Sequence, residues 1–115
     1  MTPARFREQC AAQAGATVDI KWGSNEVYSV GDKMFAIYGL EHGRIALKVA
    51  PERFLELTDR PGVHPAPYLA RYYWVALDSA DILPSAQLLE LMHDSYRLVR
   101  ARLPAKTRAA LPQDK

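Results

Sequence analysis

The chain has 115 residues, 49% of them hydrophobic and 24% charged, with a formal net charge of +2. That length suits one compact domain spanning 1–115 that buries roughly two-thirds of its unfolded surface, and the longest apolar run, residues 72–77, falls far short of the ~20 residues needed to cross a bilayer. The single cysteine, Cys10, excludes an internal disulfide and fits a reducing compartment; with no signal-type stretch near the start, the expectation is a cytoplasmic protein with no membrane partner.

Residues 3–14 read as a helix. Pro3 suits a first turn, Phe6, Cys10 and Ala14 recur on one face, and Gly15 is a stop signal. From Thr17 the pattern changes to period two. Val18, Ile20 and Trp22 alternate with Thr17, Asp19 and Lys21, which predicts a strand with Val18, Ile20 and Trp22 on one side. After Gly23-Ser24-Asn25, residues 26–30 and 33–40 form a second and third strand joined by Gly31-Asp32. A Gly-first link of that length suits a type II′ hairpin. Glu41-His42-Gly43 makes the next turn, before a strand over 44–49 with Ile45, Leu47 and Val49 inward and Arg44, Ala46 and Lys48 outward.

Pro51 opens a short helix over 51–57. Residues 63–68 are extended but poor as a central strand, because Pro65 and Pro67 cannot donate to a ladder. Residues 71–77 read as the last strand. Ser85 is the candidate N-cap of the longest helix, to about Leu103, with Leu88, Leu91, Met92, Ser95 or Tyr96, Val99 and Leu103 on its apolar stripe. Lys106 to Leu111 adds one more turn within a short basic tail from about 105. The order is helix, four strands, helix, strand, helix: an α+β domain with helices packed on one face of an antiparallel sheet.

Charge is uneven along the chain. Arg97, Arg100, Arg102, Lys106, Arg108 and Lys115 face only Asp114, so the C-terminal stretch carries +5 and the rest −3. A basic segment of this kind fits an anionic partner, and equally a solvated helix end that complements its own dipole.

No motif of catalysis emerges. Gly31, Gly39 and Gly43 belong to hairpin turns rather than to a phosphate loop. Cys10 lies on an apolar helix face, where thiols are inert. His42, His64 and His93 are scattered, and Asp78 with Asp81 lacks the further oxygens a cation needs. No acid, base and nucleophile stand at motif spacing, so the expectation is a protein that is not an enzyme and has no cofactor and no metal. What remains is Lys21, Lys33, Arg44, Lys48 and Arg71 on strands or at hairpin ends, with Trp22, Tyr28, Tyr38 and Tyr72 nearby. Lysine and arginine neutralise phosphates and exposed rings stack on bases; the same residues also suit a soluble sheet edge over an aromatic core.

Several segments, Asp19-Ile20-Lys21-Trp22-Gly23, Glu26-Val27-Tyr28-Ser29-Val30-Gly31-Asp32-Lys33-Met34-Phe35-Ala36, Leu47-Lys48-Val49 with Pro51-Glu52, the loop 61–68, Trp74-Val75, and Ser95-Tyr96-Arg97-Leu98-Val99 leading to Leu103-Pro104, resemble the MmcQ/YjbR-like family of small bacterial proteins in one order over residues 4–106. The resemblance implies a frataxin/CyaY-like α+β sandwich and DNA binding through two hairpins acting as wings, here residues 26–40 and 35–49. Where many relatives carry a basic cluster before the last strand, this chain reads Arg71-Tyr72-Tyr73.

The resulting expectation is a DNA-binding protein that contacts phosphates through Lys21, Lys33, Arg44, Lys48 and Arg71, extended by Arg100, Arg102 and Lys106, with Trp22 or Tyr28 stacking. The alternative is a non-catalytic module that binds a small ligand or a protein in an aromatic pocket near Trp22, Tyr68 and Trp74. An iron role fits less well, since the first helix offers only Glu8 as an acidic ligand. Exposed edges permit a monomer or a weak homodimer.

Overall fold

A computed structural model describes residues 1–113; Asp114 and Lys115, counted in the basic tail, lie outside them. The elements in chain order are α1 (Pro3–Ala11), β1 (Thr17–Lys21), β2 (Asn25–Val30), β3 (Lys33–Gly39), β4 (Ile45–Lys48), a 3-10 turn (Pro51–Arg53) running into α2 (Phe54–Thr58), β5 (Val63–Pro65), a second 3-10 turn (Ala70–Tyr72), β6 (Trp74–Leu77), α3 (Ser85–Ala101) and α4 (Ala105–Ala110). The six strands form one antiparallel sheet in the order β1-β2-β3-β4-β6-β5. This is the expected α+β architecture with an added edge strand, β5. Pro65 and Pro67 are compatible with that position because an edge strand has one side free of ladder partners.

Helices α1 and α3 cover one face. The α3 stripe Leu88, Leu91, Met92, Ser95, Tyr96 and Val99 is buried against Val30, Phe35, Leu47 and Val75, each Val, Leu, Met or Phe side chain among them contributing roughly 1.5–3 kcal/mol on leaving water. Phe35 meets Tyr96 edge to face with ring centroids 5.3 Å apart. Helix α1 adds Phe6 and Cys10. It is clamped to β2 by a bidentate pair, Arg7 Nε to Glu26 Oε1 and Arg7 Nη2 to Glu26 Oε2, both at 2.8 Å.

The opposite face is not simply wet. Val27, Ile37, Ala66 and Trp74 form a second buried cluster, joined by Met34, Ala46, Leu69 and Ala76. The alternation of β2, β3, β4 and β6 puts these side chains outward, and the segment after β5 folds back over part of them. Ala66 N donates to the Trp74 carbonyl at 3.0 Å, fixing that fold-back.

Local signals were resolved differently at several places. Gly31 (φ 55) and Asp32 (φ 65) are both left-handed, the type I′ pattern rather than II′, because Asp tolerates that region. A β-carbon at Gly31 would also strike Leu103. Helix α1 stops at Ala11, leaving Ala14 outside it. Pro84, not Ser85, is the N-cap of α3, with its carbonyl accepting from Leu88 N at 3.0 Å. The last strand begins at Trp74, because Tyr73 (φ 64) closes a 3-10 turn and breaks extended geometry before it.

Candidate functional site

Consecutive antiparallel hairpins point in opposite directions, and that decides where the cations lie. The Gly31-Asp32 turn is at one end of β3; residues 40–43, closed by Gly39 N to the Arg44 carbonyl at 2.9 Å, are at the other. The two hairpins therefore exist, but their tips stand at opposite ends of the sheet and do not form a pair of adjacent wings.

The Gly31 end gathers five of the eight cations expected to contact phosphates: Lys33, Lys48, Arg71, Arg102 and Lys106. Lys33 opens β3, Lys48 closes β4 opposite Trp74, and Arg71 lies in the 3-10 turn rather than on a strand. Lys106 is on α4, whose Thr107 packs beside Gly31. Lys48, Arg71 and Arg102 line one cavity of about 120 Å³ with Val49, Pro51, Tyr72, Tyr73 and Leu98, and no carboxylate is among its lining. Lys48 Nζ donates to the Tyr72 carbonyl at 2.6 Å. Burial first, and then the neighbouring Arg102 charge, hold the Lys48 ammonium below the usual lysine range. The Arg71 guanidinium lies over the Tyr72 ring, 5.1 Å from its centroid.

Arg100 does not join this group as a free cation. Its guanidinium donates to the Tyr96 hydroxyl and to the Pro112 carbonyl, each at 2.7 Å, so it ties α3 to the C-terminal segment. Lys21 and Arg44 lie at the opposite end, Lys21 on edge strand β1 against Asn25 and Arg44 just before β4.

The aromatic residues divide in the same way. Tyr28 faces the helices and is buried; its hydroxyl donates to Glu26 Oε1 at 2.7 Å, which removes it as a stacking residue. Trp74 is also buried, covered by the fold-back after β5, and does not line the cavity expected near it. Trp22 and Tyr68 are exposed, 64% and 98%, and line a cavity of about 580 Å³ on the outer face. Its other walls are Met34, Ile37, Ala46, Ala66, Leu69 and Ala76, with Asn25, His42 and Arg44 as polar neighbours. Of these, Met34, Ile37 and His42 escape sequence reasoning. The useful signal was the Gly39-to-His42 spacing in a turn, since a β-carbon at Gly39 would collide with the His42 imidazole.

Cys10 is buried, and burial pushes its thiol well above the ordinary range, so it is no nucleophile at neutral pH. His64 Nε2 lies 3.0 Å from Asp78 Oδ1 on the surface. Among the described residues no three His, Cys, Asp or Glu side chains come together as metal ligands, and no helix is long and apolar enough to cross a membrane.

The family model described as YjbR matches residues 11–98. The crystal structure of protein DR2400 from Deinococcus radiodurans, whose family-model domain is DUF419, is 26% identical; the match covers 94% of this chain and 88% of that one with a TM-score of 0.84. A protein from Pseudomonas syringae is similar in fold, at 22% identity and a TM-score of 0.70, over 86% of this chain and 99% of that one. No curated protein matches the chain.

Proposed function

The chain belongs to the YjbR family, and we propose that it is a non-catalytic module that binds DNA through phosphates at the Gly31 end of its sheet. The observation that supports this reading is the cavity lined by Lys48, Arg71 and Arg102 without any carboxylate. Three cationic side chains share that lining; burial, and secondarily the Arg102 charge, holds the Lys48 ammonium below the usual lysine range. A phosphate oxygen between the three would relieve their repulsion and accept charge-assisted hydrogen bonds. Lys33 and Lys106, both exposed, extend the same end, so the contacts come from one pole of the sheet and not from two wings. Phosphate contacts of this kind position a protein on the duplex without reading its sequence.

The test is fluorescence anisotropy of a labelled duplex at several salt concentrations. Neutralising about five phosphates gives a slope of log K against log salt near −4.5. Arg71→Glu with Arg102→Glu, both at exposed positions, is expected to abolish binding, whereas Lys21→Glu at the far end leaves it nearly unchanged. Equal loss from both sets, or no binding to duplex at low salt, would refute the one-pole reading.

A further inference from the structure

The outer-face cavity has no part in that reading, and its construction is specific. Its volume of about 580 Å³ lies within the ~300–1,000 Å³ of small-molecule sites. The floor is apolar, made by Ile37, Ala46 and Ala76 from three adjacent strands. Two large aromatic side chains, Trp22 and Tyr68, stand at its rim in contact with solvent. Both residues sit at positive φ, 50° and 65°, a backbone conformation that strains a bulky side chain. Such strain concentrates at ligand clamps.

The polar groups agree on one sign of charge. Arg44 is the single charged residue in the lining, and its guanidinium has no acidic partner among the described residues. Beside it, His42 Nδ1 accepts the Arg44 backbone N–H at 3.0 Å. That bond leaves the proton of the neutral imidazole on Nε2, so the ring offers a donor there. We infer that this cavity binds a small organic anion with a flat apolar body, the body lying between Trp22 and Tyr68 over Ile37 and the anionic group pairing with Arg44 and His42.

The test uses 8-anilino-1-naphthalenesulfonate, a monoanion with a flat apolar naphthalene body, and its uncharged analogue N-phenyl-1-naphthylamine, titrated against the full chain by probe fluorescence. One saturable anion site per chain is expected, with the neutral probe binding more weakly. Arg44→Gln is expected to weaken the anion roughly tenfold, the scale of one charge-assisted hydrogen bond, and to leave the neutral probe unchanged. Tyr68→Ala and Trp22→Ala should weaken both probes; all three positions are exposed, so the fold survives and a thermal melt verifies it. Arg71→Glu with Arg102→Glu, which removes the basic pole, should leave the anion site intact. Equal affinity for the two probes, an unchanged anion affinity in Arg44→Gln, or loss of the site with the basic-pole variant would overturn the inference.

Discussion

Ser95 offers a sharp test of how α3 is joined to the sheet. Register between β2 and β3 shifts at Tyr28/Ser29, and Phe35 is left without a partner. Pairing between β3 and β4 also ends at Ala36 with Leu47. The buried Ser95 hydroxyl enters this gap. It donates to the Phe35 carbonyl at 2.6 Å and accepts from Lys48 N at 3.0 Å. Ser95→Ala keeps almost the same volume, so no cavity cost arises; what is lost is the partner of two backbone groups. Each buried group left unpaired costs about 1–3 kcal/mol, so a total of about 2–6 kcal/mol is expected for the two. Against a global stability of about 5–15 kcal/mol, that is a midpoint drop of roughly 8–24 °C. Thermal and urea unfolding measure it, and hydrogen exchange at the Lys48 amide should accelerate in step. Thr58→Ala is the comparison, because Thr58 Oγ1 bonds only to carbonyls of its own short helix and its removal should cost within about 0.5 kcal/mol. A Ser95→Ala protein as stable as the parent would mean that β3 and β4 close the gap by pairing directly, and the wedge reading would fail.

Three other outcomes are expected. The Arg7 guanidinium, and secondarily the Tyr28 hydroxyl, hold the Glu26 carboxyl below the usual range against the opposing effect of burial; its stabilisation is therefore present above the ordinary glutamate pKa and is lost as pH falls through the lowered one. Glu26→Gln should flatten the acid limb of a stability-against-pH curve, and an unaltered limb would show that other carboxylates set it. Gly39→Ala, whose β-carbon meets the His42 ring, should displace the 40–43 turn at a cost of about 1–3 kcal/mol and weaken binding of the naphthalene sulfonate; a protein with native stability and native probe affinity would refute the close packing. Tyr96→Phe removes the hydroxyl that donates to the Ala14 carbonyl at 2.5 Å and accepts from Arg100. It should cost about 1–2 kcal/mol, measured by urea unfolding, and an unchanged midpoint would mean that water replaces both bonds.

Much of the fold was legible because its signals are local. The switch from a helical to an alternating pattern at Thr17, the Gly31-Asp32 link, and the stripe from Leu88 to Val99 each depend on neighbouring residues. The face of a strand residue is equally local; what covers that face is not. The pattern marks Trp74 and Tyr28 as site aromatics, yet one is roofed by a segment folding back from β5 and the other lies beneath α1 and α3. Val18 and Ile20 show the converse. Their register opposite Tyr28 and Glu26 turns them to the helical side, but β1 is at the edge and both remain half exposed. Trp22 leaves the alternation altogether, because its left-handed backbone carries the ring to the outer face. Charge was visible in the sequence as a tail of cations, whereas its gathering at one pole follows from hairpin direction. Arg100 could not be set apart from Arg102 without seeing the Tyr96 hydroxyl and the Pro112 carbonyl that hold it.

The two margins of the sheet are unequal. β5 is short, and Pro65 together with Pro67 withholds donors from anything that approaches there. β1 is longer, exposed along its whole length, and free of proline. Stacking sheets end to end into a filament requires two receptive margins on every molecule, and this one has a single receptive margin. Edge pairing through β1 would consume it on both copies about a twofold axis, so self-association by that route terminates at a pair. The prolines beyond Val63 thus limit strand-edge pairing of this sheet to two copies.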